Sequence, residues 1–159
     1  MTRTAVIAIA TLVTFAAASA GAHCQIPCGI YDDELRVQLV EEHITTVEKS
    51  IKQIGTLGAA ESVDYNQLVR WVDNKEPHAQ EIQDIVTAYF MAQRIKPPKN
   101  HDDEDALNQY LHKLALLHHI QIHAMKTKQG TDLEEIETLR KLVAKFRKAY
   151  FGEEGEHAH

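Results

Sequence analysis

Cys24 and Cys28 are the only cysteines in the chain; they stand four residues apart, and His23 directly precedes the first. Thiolates and an imidazole packed this closely either hold a metal ion or, in the case of the two sulfurs, pair as a disulfide. The segment they occupy, residues 23–31 (HCQIPCGIY), is not regular helix. Pro27 has no N–H to donate and Gly29 is a turn former, so the chain can curl and bring Cys28 back towards Cys24.

What precedes His23 decides its chemistry. Arg3 supplies a positive start, and residues 5–18 (AVIAIATLVTFAAA) form an apolar run too short to span a bilayer. Ala20-Gly21-Ala22 then gives the small-x-small pattern of a cleavage site. Residues 1–22 therefore read as a signal peptide or pro-segment cut after Ala22, with the product exported to the periplasm or secreted. A buried N-terminal helix is the plainer alternative. A lipoprotein would need cysteine at the cut, where His23 stands.

Cleavage there creates a free α-amine on His23, with an ordinary pKa of about 7.7–8.0. The amine nitrogen, the Cys24 amide nitrogen and the Cys24 thiolate can close two fused chelate rings on one ion. The Cys28 thiolate completes a square of two nitrogens and two sulfurs, and the His23 imidazole can approach along the axis. Zinc prefers a tetrahedron, whereas this square suits Ni(II) or Cu(II). Thiolates tend to reduce Cu(II), which favours nickel. An anionic amide and two thiolates also stabilise Ni(III), bringing a one-electron couple within reach. A disulfide between Cys24 and Cys28, natural in an oxidising compartment, is the competing reading.

The pattern His23-Cys24-x-x-Pro27-Cys28-Gly29-x-Tyr31 resembles the hook of nickel-containing superoxide dismutases, six fixed positions in nine. The rest of the chain is similar to that family more loosely, in its length and in the Lys96-Pro97-Pro98 turn. The resemblance implies that His23 supplies the amine and the axial imidazole, Cys24 the amide and a thiolate, and Cys28 the second thiolate. It implies that Tyr31 sits over the open face of the metal and orders substrate or water. It further implies one nickel ion per subunit, a homohexamer, and disproportionation of superoxide to oxygen and hydrogen peroxide through Ni(II) and Ni(III). Some members carry Asp where this chain has the uncharged Gln25. The family holds the axial imidazole with a Glu and a basic residue, for which Glu41, Glu42 and His78 are the candidates here. It is often released by a dedicated protease, a task an export signal would replace. The rival functional reading is a non-enzymatic exported nickel- or copper-binding protein using the same hook. A helical bundle with a purely structural disulfide is the third.

The elements behind the hook read as helices. Leu35, Leu39, Val40, Ile44, Val47, Ile51 and Ile54 recur at three- and four-residue steps, with Asp32 or Asp33 to cap the start and Gly58 to close the end. A shorter segment from Ser62 carries Val63, Leu68, Val69 and Val72. Pro77 is placed to begin a new helix through Ile82, Ile85, Val86, Tyr89 and Phe90, ending before Lys96. The next runs from about Asp102 to Lys126 through Leu107, Tyr110, Leu111, Leu114, Leu117 and Met125, and Gly130 breaks it. Thr131 and Glu134 form a capping box for a last helix along Leu133, Ile136, Leu139, Leu142, Val143, Phe146 and Tyr150. The expected fold is all-α, an antiparallel four-helix bundle over residues 32–152 with an irregular metal-binding hook at 23–31 and a polar tail at 153–159.

Composition agrees. Aromatics are only 6% and helix formers dominate, which disfavours a β-sandwich. A net charge of −6 without a dense Lys/Arg block disfavours nucleic acid as a partner. No membrane association is expected once residues 1–22 are removed. Of the ten histidines, His43, His112, His118, His119 and His123 read as surface or interface residues, and Trp71 and Tyr89 as core or interface.

Overall fold

A computed structural model of the chain describes residues 32–152. Within them, α1 spans Asp33–Gly58 and α2 spans Tyr65–Asp84, which runs without a break into a π-helical segment, Ile85–Arg94. Two further helices follow, α3 over Glu104–Gln129 and α4 over Leu133–Phe151. Each of the four helical rods packs on the next and α4 closes the ring against α1. The result is the expected four-helix bundle.

The helices begin for one local reason. Asp32, Asp64, Asp103 and Asp132 each hold non-helical backbone and accept a hydrogen bond from an N–H one or two residues inside the first turn. An aspartate there satisfies an orphan donor and opposes the positive end of the helix dipole. The last of these corrects the capping-box expectation: Asp132, not Thr131, caps α4, because its carboxylate reaches the Glu134 N–H at 2.9 Å.

The core is built from one stripe per helix. Val37, Val40, Ile44, Val47 and Ile51 of α1 meet Ile82, Val86 and Phe90, Leu117 and Ile120 of α3, and Ile136, Leu139, Val143 and Phe146 of α4. Phe90 and Phe146 pack edge to face at 5.0 Å between ring centres, the arrangement their quadrupoles favour. At its centre remains a void of only about 10 Å³, so the interior is a packed core and not a ligand chamber.

Two sequence expectations are corrected here. Pro77 begins no helix; it lies inside α2. Its ring leaves the Asp73 carbonyl without an intrahelical N–H, but the neighbouring turns are held from both sides. Ala79 and Ile82 are fully buried, and Lys75, 4% exposed, donates to the carbonyls of Lys128 (2.8 Å) and Gly130 (3.0 Å) at the end of α3. Burial thus carries the helix through the proline. Leu35, Val69, Val72, Leu111 and Met125, placed on apolar stripes by spacing, are instead exposed. They flank the buried stripes without facing them. No helix among the described residues is long and apolar enough to cross a membrane.

Candidate metal centre

The hook residues His23, Cys24, Gln25, Cys28 and Tyr31, and the cleavage point after Ala22, lie outside the described residues. What the structure places is the end of the bundle from which that segment departs. Asp33 opens α1, two positions after Tyr31. Its carboxylate gathers two hydroxyl donors and one cation from two other rods. The Tyr89 hydroxyl donates to Oδ1, the Arg94 Nε lies 2.8 Å from the same oxygen, and the Tyr150 hydroxyl donates to Oδ2 at 2.7 Å.

The π-helical register explains why Tyr89 and Arg94 cooperate. In an α-helix, residues five apart point about 140° away from each other, at 3.6 residues per turn. A π-helix bonds residue i to i+5, which draws such pairs onto one side. The Ile95 N–H indeed bonds the Phe90 carbonyl at 2.9 Å. Arg94 Nη2 accordingly donates to the Tyr89 hydroxyl at 2.8 Å, and its guanidinium lies 4.9 Å from the Tyr89 ring centre. Arg36 approaches the same ring at 5.1 Å. Next in the chain, Glu34 pairs with Arg147 of α4, so the first turn of α1 is tied to α4 twice.

The protonation states follow. Burial alone would raise the Asp33 pKa, but the hydroxyls of Tyr89 and Tyr150 and the charge of Arg94 outweigh it and hold the carboxyl below its ordinary value. Burial and the adjacent carboxylate push both tyrosine hydroxyls upwards, Tyr150 most strongly. The cluster at neutral pH is therefore one carboxylate, one guanidinium and two protonated phenols. Beside it lies an open hollow of about 260 Å³, lined by Arg94, Lys96, Pro98, Lys113 and Tyr150 among others.

The candidate partners of the axial imidazole fall in different places. Glu41 faces Arg147 across 3.6 Å, and Glu42 is exposed. His78 lies with His43: their Nδ1 atoms are 2.8 Å apart, bridging α2 and α1. His43 is thus half-buried and paired, a refinement of the surface reading. Its pKa is lowered by burial first and then by His78, against smaller opposing effects of Glu81 and Glu42. His118 and His119 are exposed, while His123 pairs with Glu135. Among the described residues, no three His, Cys, Asp or Glu side chains converge to hold a metal ion.

Sequence spacing marks Asp33 only as a cap, Tyr89 as a core or interface residue and Tyr150 as part of an apolar stripe. Spacing carries no signal for their convergence, because it depends on the π register and on contacts between α1, the end of the second rod and α4.

The family model for nickel-containing superoxide dismutase matches residues 18–154, the hook and all four helices together. The chain belongs to that family. Its cofactor is nickel, its substrate superoxide, and its activity that of an oxidoreductase; the non-enzymatic metal carrier is not favoured. No curated protein and no solved structure matches the chain.

Proposed function

We propose that this dismutase holds its nickel on the hook of residues 23–31. His23 supplies the terminal amine and the axial imidazole, Cys24 the amide and a thiolate, and Cys28 the second thiolate. The observation that carries the assignment is the register of His23, Cys24, Pro27, Cys28, Gly29 and Tyr31 inside the matched span. The donor chemistry supports it: both cysteines of the chain are there, and thiolate and amide donors are what a redox-active nickel ion requires.

Nickel, when bound, supplies the one-electron couple that takes an electron from one superoxide and returns one to the next. The chain's own residues do the remaining work. Tyr31, three residues after Cys28, orders superoxide or water by its hydroxyl, and this hydroxyl with nearby backbone amides or water delivers the protons that peroxide needs.

Three further readings belong to this proposal. Residues 1–22 are an export signal removed after Ala22, residues 32–152 are the bundle and 153–159 a polar tail. The mature enzyme works outside the cytoplasm. It assembles as a homohexamer, for which the exposed apolar row Tyr65, Val69 and Val72 on α2 is a suitable contact face.

The test is substitution of the sulfurs. Cys24→Ser and Cys28→Ser should each yield a folded bundle without stoichiometric nickel and without dismutase activity. Nickel retained in full by either variant, measured by elemental analysis, removes that cysteine from the ligand set.

A further inference from the structure

Helix α1 does not need Asp33 in order to begin. Its N-cap is Asp32, whose carboxylate accepts the Glu34 N–H at 2.9 Å. The core below is complete from Val37 onwards. Yet Asp33 receives the Tyr89 and Tyr150 hydroxyls and the Arg94 guanidinium, so both carboxylate oxygens are engaged and Arg94 also braces Tyr89. Such a network of charge-assisted bonds fixes a carboxylate in place and, with it, the backbone that carries it.

That backbone is the root of the hook. Consecutive Cα atoms are about 3.8 Å apart, so the Tyr31 Cα lies within about 8 Å of the Asp33 Cα. Cys28, five residues before Asp33, is within about 19 Å by the same reach. Few torsions separate the clamp from the side chain that meets the substrate and from the second thiolate. An error in the direction of departure is carried directly into the site.

We propose that Asp33, clamped by Tyr89, Tyr150 and Arg94, is the positioning residue that sets where the nickel hook leaves the bundle. The proposal rests on the assignment of the hook to residues 23–31. The clamp acts through the geometry of its bonds. Loss of a neutral hydroxyl at Tyr150 therefore acts in the same direction as loss of charge at Asp33.

The experiment uses the mature, nickel-loaded enzyme and its Asp33→Asn and Tyr150→Phe variants. Nickel release to excess EDTA, the paramagnetic resonance spectrum of the oxidised form and the thermal midpoint are measured on each. Lys75→Met, which removes the tie to the far end of α3, is the stability control. Partners that orient ligands typically change metal affinity by about 10–100-fold when removed, and release should accelerate by about tenfold or more in both clamp variants, with an altered spectrum. Lys75→Met should melt lower and still release nickel at the parent rate. Should Asp33→Asn fail to fold, Tyr150→Phe decides alone. Parent release rates and spectra in the clamp variants overturn the proposal, as does acceleration by Lys75→Met to the same extent. If Cys24→Ser loses nickel while the clamp variants behave as the parent, only the clamp is wrong. If Cys24→Ser keeps its nickel, the hook assignment falls and the clamp with it.

Discussion

In the proposed site, Tyr31 is the residue at which binding and turnover should separate. It contributes no metal ligand in the proposed site, so Tyr31→Phe should retain one nickel per subunit while changing kcat or the response to peroxide. Parent behaviour in both assays would reduce Tyr31 to a packing residue. At this scale the sequence proposes ligands and is silent about their support. His23, Cys24 and Cys28 can be proposed because ligand chemistry is local: an amine, an amide and two thiols within six residues define a chelate without any tertiary knowledge. Asp33, Tyr89, Arg94 and Tyr150 cannot, because each has an adequate local explanation as cap, core or surface. Only the fold brings together groups 56 and 117 positions apart.

At the scale of elements, the apolar periodicity located all four helical rods, but it misread the one at Pro77. Proline inside a helix costs about 3 kcal/mol, which makes a helix start the natural reading; here Ala79, Ile82 and the buried Lys75 outweigh that cost. Pro77→Ala should restore a backbone hydrogen bond and lose about 0.4–1 kcal/mol through a more flexible unfolded chain. The helix effect is larger, so the variant should be stabilised by roughly 2 kcal/mol, a rise in thermal midpoint of about 4–8 °C. A lower midpoint would mean that the bundle has adapted to the proline. The pairing of α1 with α2 through His43 and His78 makes a second prediction. Burial and His78 lower the His43 pKa, so the unfolded chain binds the proton more readily than the folded one. Stability is then fullest above the unfolded value of about 6.5 and declines as pH falls from there through the lower folded value. Thermal melts between pH 7.5 and 5 should show this decline, and His43→Gln should flatten it. An unchanged slope in the variant would assign the acid sensitivity elsewhere.

For the whole molecule, fold and chemistry are nearly separable. The bundle is closed by its own core, its central void is only about 10 Å³, and no three metal-binding side chains meet among the described residues. The family match over residues 18–154 joins the bundle to the hook as one inherited unit. In the proposed arrangement the bundle serves as the base, and the redox chemistry belongs to the short segment that precedes it. That division matches what is legible in sequence: the bundle follows from hydrophobic period, the proposed site from a motif, and the joint between them from neither. The account depends most on the amine created by cleavage. Native mass spectrometry of the mature enzyme tests it directly, since it reports the first residue, the metal and the subunit count together. The account predicts chains that begin at His23 with one nickel ion each. Active, nickel-bearing chains that begin at any other residue would contradict it.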